Sequence, residues 1–288
     1  MLTISGSVSH AKELATAMDV DPTAFVRARG SAQAIISGSR LSQGDVIETR
    51  GSGQVQVLFD DQTRIVIGPN SRLVVEDVLM KSGKSASRFA VTAVKGSFRF
   101  ITGRSSKSAY EIRTPTATMG VRGTTFDFAV NRARETDLAV LYGAVRFCGR
   151  GGQCQQIRQG CNLAFADRRG NVGIPASREE GANRISRGFP YLFSQASLMG
   201  TFRTRIGVCS RYTQLATRNA ARSGTGVQGI NGPASVTSPG APGPTDSPGA
   251  STGSPGSSGA AGGNSGGRGG GNSGDQQGNS GGNRSDGK

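Results

Sequence analysis

Hydrophobic and polar residues alternate along much of the first half of the chain, in short segments that are separated by glycine-containing turns. In residues 54–59, Val55, Val57 and Phe59 share one face of an extended segment, and the two glutamines lie on the other. A period of two is typical of a strand with one buried face. Many such segments at close spacing predict an all-β fold, a β-sandwich or β-roll.

Turn sequences divide this region into predicted strands. Gln43-Gly44-Asp45 and residues 51–53 are turn signals, and Asp60-Asp61-Gln62 is typical of a hairpin tip. We predict strands at residues 32–37, 54–59, 63–68, 72–80, 88–94, 97–102, 111–114 and 124–130, and a hairpin formed by residues 136–143 and 144–148.

Helical periodicity is weak. Residues 10–19 are compatible with a short amphipathic helix, and residues 193–221 predict a C-terminal helix whose buried positions would be Leu198, Phe202, Ile206 and Leu215. Two glycines, Gly200 and Gly207, weaken the second prediction because glycine lowers helix stability.

Composition divides the chain into four parts. From about residue 223 the sequence consists mainly of Gly, Ser, Pro and Asn, which bury too little apolar surface to offset the entropy of folding, so we expect a disordered tail. The predicted parts are an N-terminal segment that is partly helical or irregular (1–30), a β domain (31–148), a cysteine-containing extension (149–222) and the tail (223–288).

Four ordered motifs between Leu41 and Phe147 make this region resemble the FecR family. The first has Leu41, Gly44, Asp45, Ile47 and Thr49, and the second has Phe59, Asp61, Thr63, Gly68, Asn70 and Ser71. The third has Lys95, Gly96, Phe98, Arg99 and Phe100, and the most diagnostic has Thr114, Pro115, Ala117, Gly120, Arg122, Gly123 and Thr124. Any one motif alone would be weak, but four in order are hard to obtain by chance.

The resemblance implies an exported, β-rich domain of the bacterial cell envelope. The family's namesake is a membrane-spanning regulator that relays a ferric-citrate transport signal to an iron-starvation sigma factor. This sequence shows no run of about 20 apolar residues of the kind that crosses a membrane. We therefore expect a stand-alone FecR-like protein, and the relay function is not expected to transfer.

The motif residues also have purely structural interpretations. Pro115 forces Thr114 into an extended conformation, and Asp45 and Asn70 are turn-forming residues. Gly120 and Gly123 allow positive φ or close approach of a neighbouring strand. Arg122 between them is expected to contact Asp61 or Asp127 or to cap carbonyls, and the functional alternative is an anion-binding arginine in a glycine nest.

The formal net charge is +15, from 34 basic and 19 acidic residues. Such a surface attracts anionic polymers, lipids or nucleic acid. The basic residues are scattered, however, and no nucleic-acid-binding motif accompanies them, so nucleic acid is an unfavoured partner. The expected partners are a protein, which could add a strand at an open sheet edge, or an anionic envelope component.

The four cysteines are Cys148, Cys154, Cys161 and Cys209. The spacing is too wide for a CxxC zinc or redox motif, although four thiolates could still meet at a metal. Two disulfides are the favoured alternative, one within the glycine-rich turn and one tying in the C-terminal part, with three connectivities open. An even cysteine count favours an oxidising compartment, the periplasm or the cell exterior.

The first residues conflict with export, because they contain no cationic region followed by an apolar one. Our expectation is that Met1 is an internal start and that an export signal lies upstream, and the alternative is export by a route without a classical signal. If Met1 is the true start, the sequence predicts a cytoplasmic protein.

No residue set predicts catalysis. His10 is the sole histidine, and no nucleophile motif surrounds it. The adjacent acids Asp60-Asp61 and Glu179-Glu180 point apart in a strand or turn. We expect no enzyme, cofactor, metal or small-molecule substrate. The leading hypothesis is a binding or scaffold module of the envelope, and the alternatives are a regulatory sensor of a transport or sigma-factor system and a non-specific polyanion binder.

Overall fold

The computed structural model describes residues 12–28, 31–81, 85–106 and 108–223. Its secondary structure is dominated by strands, which confirms the predicted all-β class, whereas the tail predicted to be disordered lies outside the described residues except for Ser223. The strands are β1 (Glu13–Asp21), β2 (Ala24–Ala28), β3 (Ser31–Ile35), β4 (Arg40–Ser42), β5 (Val46–Thr49), β6 (Gln54–Phe59), β7 (Arg64–Ile67), β8 (Arg72–Lys81), β9 (Ser85–Ile101), β10 (Tyr110–Arg113), β11 (Ala117–Val130), β12 (Thr136–Gly149), β13 (Cys154–Arg158), β14 (Asn162–Ala166) and β15 (Val172–Gly173). The helices are α1 (Arg178–Gly188) and α2 (Ser210–Ser223).

All fifteen strands belong to one hydrogen-bonded sheet that folds into two layers. The first layer has the order β3-β2-β5-β8-β9-β10-β11-β12-β13, and the second has the order β4-β1-β6-β7-β9-β11-β12-β14-β15. Strands β9, β11 and β12 are shared, because each contributes one half to each layer.

A glycine in the left-handed region of φ lies near the middle of each shared strand. Gly96, Gly123 and Gly143 have φ values of 105°, 62° and 77°. At Gly96 a side chain would also collide with Ser71, whose Cα atom lies 2.4 Å from the position of a Cβ. Only glycine adopts such conformations without strain, so these residues let a strand pass from one layer into the other.

Two sequence predictions are wrong at these glycines. The segments predicted as a hairpin, residues 136–143 and 144–148, form the single strand β12, because Gly143 bends the chain without reversing it and both halves pair with β11. Likewise, residues 88–94 and 97–102 were predicted as separate strands and form one strand through Gly96.

The core between the layers is rich in phenylalanine. Phe59 of the second layer meets Phe89 of the first with ring centroids 4.8 Å apart, and Phe89 also contacts Phe100. Phe98 stacks on Phe128 at 4.9 Å. Aromatic pairs of this kind stabilise a core beyond the area they bury. The alternation of residues along the sequence identified this inner face correctly.

A C-terminal segment (residues 178–223) covers part of the outer face of the second layer. Ile185, Phe189 and Leu192 pack on Ala139 and Leu141 of β12. Farther along, the side chains of Tyr191, Leu198 and Phe202 pack on Val66 of β7. Where this segment packs, the second layer is buried on both faces.

The predicted N-terminal helix is wrong, whereas the predicted C-terminal helix is confirmed and is shorter than the segment 193–221. Residues 13–19 of the expected N-terminal helix belong to β1, because β1 pairs with β4 and β6 and buries Leu14, Ala15 and Ala17. In the C-terminal part, α2 begins only at Ser210, and the preceding residues contain the 3-10 turns Pro190–Leu192, Gly200–Phe202 and Gly207–Cys209. Leu198 and Phe202 are buried as predicted, but neither lies in an α-helix, and Ile206 and Leu215 are only half-buried.

Candidate functional site

Asp61 of the second motif is a fully buried carboxylate at the β6–β7 turn. It accepts hydrogen bonds from the backbone N–H of Thr63 at 2.9 Å, from the hydroxyl of Ser105 at 2.6 Å and from the hydroxyl of Tyr110 at 2.9 Å. The Thr63 hydroxyl contributes a further bond at 2.9 Å. Four donors satisfy this carboxylate, so its role is to join a turn, a loop and β10.

Asp45, Asn70 and Ser71 make the hydrogen bonds expected of turn residues. The Asp45 carboxylate accepts from the N–H of Ser42 at 2.7 Å, and burial raises its pKa although this bond opposes the rise. Asn70 has φ 52° and bonds both backbone groups of Gly51. The Ser71 hydroxyl accepts from the N–H of Ser97 at 3.0 Å.

The two remaining glycines of these motifs lie at tight positions. Gly44 has φ 88°, which favours glycine. Gly68 donates its N–H to Ser97, and a Cβ there would lie 2.8 Å from the hydroxyl of Tyr191.

The most diagnostic motif, Thr114 to Thr124, forms a turn followed by the first half of β11. The hydroxyls of Thr114 and Thr116 both bond the hydroxyl of Thr136, at 2.7 and 2.8 Å. Thr114 also closes the turn around Pro115 by accepting from the N–H of Ala117 at 2.9 Å. These contacts fasten the start of β11 to the start of β12.

Gly120 lies on an outward-facing position of β11. A Cβ at Gly120 would meet only the Cβ of Arg146, at 3.9 Å, so packing does not require glycine there. The Arg122 side chain lies outside the described residues, and both interpretations of it stay predictions. Both carboxylates that we expected to contact Arg122 bond other groups. Asp61 accepts from the donors described above, and Asp127 accepts from the guanidinium of Arg99.

Arg99 and Asp127 form a buried ion pair on the outer face of the second layer. They are directly opposite each other on β9 and β11, with N–O distances of 2.7 and 2.8 Å and exposed fractions of 0% and 1%. Arg99 also donates to the carbonyl of Tyr191 at 3.1 Å and to the side-chain oxygen of Gln195. Burial raises the pKa of Asp127, and the Arg99 guanidinium opposes that rise.

Two further polar side chains of the sheet anchor the C-terminal segment. Gln56 of β6 accepts from the N–H of Met199 at 2.8 Å and donates to the carbonyl of Ser197 at 3.1 Å. Asp137 of β12 accepts from Arg184 of α1 at 2.6 Å. Buried polar groups of the sheet therefore have their partners in the C-terminal segment.

Sequence analysis did not identify Arg99, Asp127 and Gln56 as a group. A signal was present, because Arg99 and Asp127 are opposite charges that each lie between two core phenylalanines on strands. Strand periodicity places such residues on the outer face, and their opposite charge indicates a cross-strand pair.

The four cysteines form two disulfides, which confirms the favoured alternative and decides the connectivity. Cys148–Cys154 joins β12 to β13, and Cys161–Cys209 joins the β13–β14 turn to the C-terminal segment. Their surroundings differ: Cys154 is exposed, whereas Cys161 and Cys209 are both fully buried.

The described residues contain no group of three or more His, Cys, Asp or Glu side chains that could hold a metal ion. His10 lies outside them. Asp60 is bonded by Arg40, and Glu180 accepts from the N–H of Ala176 at 2.8 Å. Within the same part of the chain, neither helix has the length and apolar character needed to cross a membrane.

Residues 45–146 match the family model described as FecR protein. This part of the chain is a FecR domain. The matched region extends from β5 into β12, so the FecR domain contains the phenylalanine core, the Asp61 cluster and the Arg99–Asp127 pair. Strands β1 to β4 and the C-terminal segment lie outside the match.

Two crystal structures of a protein from Parabacteroides distasonis ATCC 8503, named a "putative anti-sigma factor", are similar to this chain. Each is 13% identical in sequence, covers 48% of this chain and has a TM-score of 0.37. This chain spans 62% and 64% of the two structures, which is less than two thirds of their length. No curated protein matches the chain.

Proposed function

We propose that the chain is a regulatory, protein-binding module that acts without enzymatic chemistry in an oxidising compartment outside the cytoplasm. The FecR domain over residues 45–146 supports this proposal, because the namesake of the family relays a signal through protein contacts. The proposal therefore ranks regulation above the scaffold that we expected from the sequence. A scaffold of the envelope is the second candidate, favoured by the open edges that both layers of the sheet present.

The groups that could perform chemistry are used for structure. All four thiols are bonded in disulfides, so none serves as a nucleophile in this state. The buried carboxylates of Asp61 and Asp127 are satisfied by donors from neighbouring strands and loops. These contacts support a binding function over a catalytic one.

Two disulfides support an exported location, because disulfides persist in oxidising compartments and are rare in the cytosol. Protein recovered from its native compartment under thiol-trapping conditions should be four hydrogens lighter than its reduced form by intact-mass spectrometry. Four free thiols in that protein would contradict the exported location.

A gene deletion in the source organism distinguishes a regulatory function from a scaffold function. Deletion of the gene should change the transcript levels of a small gene set, and a plasmid copy of the full chain should restore them. An unchanged transcriptome combined with greater sensitivity to detergent would favour the scaffold. Neither change would contradict both candidates.

A further inference from the structure

Strand β13 is an open edge of the first layer. Within the described part of the chain it pairs only with β12. Cys154 lies opposite Cys148 at a Cα–Cα distance of 4.0 Å, which is the short spacing of a pair without mutual hydrogen bonds. The residues that flank β13 bond β12, because the N–H of Gly149 donates to the carbonyl of Gln153 and the N–H of Gln159 donates to the carbonyl of Gly143.

This register decides which backbone groups of β13 are free. Because pairs alternate along an antiparallel ladder, Cys154, Gln156 and Arg158 direct their N–H and C=O groups away from β12. All three residues are exposed. The carbonyl of Arg158 already accepts from the side chain of Asn162 at 3.2 Å. The edge therefore presents three donors and the two acceptors of Cys154 and Gln156 in the spacing that an added strand requires.

The chain that forms this edge carries only basic charges. Between Leu138 and Ala166 the chain has the three arginines Arg146, Arg150 and Arg158 and no Asp or Glu. All three are exposed, and none forms an ion pair with another described residue. Arg146 is opposite Gln156 on the neighbouring strand, so its charge lies within reach of an added strand.

We propose that the β13 edge binds an extended segment of a protein partner as an additional antiparallel strand, and that this segment carries carboxylates at alternate positions. The inference rests on the proposed protein-binding function and names the surface and the chemistry of the partner. Alternate residues of a strand lie on one face, so carboxylates with that spacing face Arg158 and Arg146 together.

Charge argues for this occupant over a second copy of the chain. With a net charge of +15, two copies repel each other at this edge, whereas an acidic strand is attracted to it. The other long open edge, β3, carries no charged residue and so provides no means of selecting an acidic partner.

The test uses the oxidised full chain and two peptides, acetyl-TEVEVET-amide and acetyl-TKVKVKT-amide, in fluorescence titrations. The acidic peptide should bind at least about tenfold more tightly than the basic one, and its affinity should fall as salt is raised. Equal binding of both peptides, or of neither, would overturn the inference.

Paired variants separate strand addition from simple attraction. Gln156→Pro removes an outward N–H without removing a bond to β12, so affinity should fall at least about tenfold, whereas Gln156→Ala should stay within about twofold. Arg158→Glu should also lose about tenfold, and Arg132→Glu, the same charge change at an exposed turn, should have little effect.

A surface that attracts acids without strand addition predicts loss with Arg158→Glu but not with Gln156→Pro, and that result would overturn the inference. Dimers that disappear in Gln156→Pro would assign the edge to a second copy. If a gene that encodes Gln156→Pro restores the transcriptome as well as the wild-type gene does, β13 is not the binding edge, but the proposed regulatory function still holds. If deletion has no phenotype, the proposed function fails whatever the peptides do.

Discussion

The outer faces of the two layers both carry an ion pair, but the C-terminal segment covers one pair and leaves the other partly exposed. On the second layer, Arg99 and Asp127 form an ion pair with exposed fractions of 0% and 1% beneath the C-terminal segment. On the first layer, Arg113 and Glu76 form a pair that is 38% and 34% exposed. The first pair joins β9 to β11 and the second joins β10 to β8, but the C-terminal segment encloses only the first.

The difference shows how a covering segment changes what a polar residue contributes. A buried ion pair needs both of its partners, because loss of one leaves a buried charge that neither the protein nor water compensates. An exposed pair is screened, and water replaces a missing partner at little cost. The covered face is therefore a specific structural interface, whereas the open face is free to meet other molecules.

The largest expected contrast comes from removing one charge of each pair. Asp127→Ala leaves Arg99 buried without its carboxylate and should lower the free energy of unfolding by about 3–5 kcal/mol, whereas Glu76→Ala should cost less than about 1 kcal/mol. Urea denaturation measures both.

The double variant Arg99→Leu/Asp127→Leu should be more stable than Asp127→Ala, because no unpaired charge remains. Equal losses from Asp127→Ala and Glu76→Ala would show that the C-terminal segment does not exclude water from the buried pair.

The disulfides extend the comparison, because Cys161–Cys209 fastens the covering segment and Cys148–Cys154 lies on the open face. Their sequence separations are 48 and 6 residues. Loop-closure entropy predicts losses of roughly 4 kcal/mol for Cys161→Ala/Cys209→Ala and roughly 2 kcal/mol for Cys148→Ala/Cys154→Ala.

Thermal unfolding of the two double variants beside the wild type measures these losses. A larger loss from Cys148→Ala/Cys154→Ala would contradict the assigned role of the long-range bridge.

A smaller effect is expected from glutamines on the two faces. Gln56→Ala leaves the N–H of Met199 without a partner, and the carbonyl of Ser197 keeps only the longer bond from Gln54 at 3.3 Å, so the change should cost about 1–3 kcal/mol. The same change at the exposed Gln156 should stay within about 0.5 kcal/mol.

Limited proteolysis adds a local measurement, because cleavage within residues 190–204 should accelerate in Gln56→Ala only. Unchanged cleavage there would mean that Gln56 does not hold the C-terminal segment.

The smallest effect concerns the start of the covering segment. The bond from Ala176 is the largest cause that lowers the pKa of Glu180, with Arg184 adding to it. A carboxyl whose pKa is lowered by folding stabilises the protein at any pH above the ordinary pKa of about 4.3. That stabilisation is lost as the pH falls through the pKa of the folded state. Glu180→Gln should therefore cost less than about 1 kcal/mol at neutral pH and nothing at strongly acid pH.

Urea denaturation at several pH values measures that difference. A constant difference between Glu180→Gln and wild type across the acid range would exclude this linkage.

Local sequence patterns correctly predicted the β class, the inner face of the sheet and the turns. Val55, Val57 and Phe59 are buried where a period of two places them, and Asn70 makes the expected turn. The same reasoning failed at Gly143, because a glycine can end a strand or bend it, and only the pairing of both halves with β11 distinguishes the two. It also failed for residues 13–19, where pairing overrides a helix-compatible sequence.

For the candidate sites, the amino-acid order alone identifies the FecR motifs, the even number of cysteines and the arginines near β13. The three-dimensional fold was needed to show which cysteines pair, that β13 is an edge, and that the C-terminal segment encloses Arg99 and Asp127. The physical reason is distance along the chain: Gln56 meets Met199 and Cys161 meets Cys209 because packing brings them together, and no local pattern encodes such contacts.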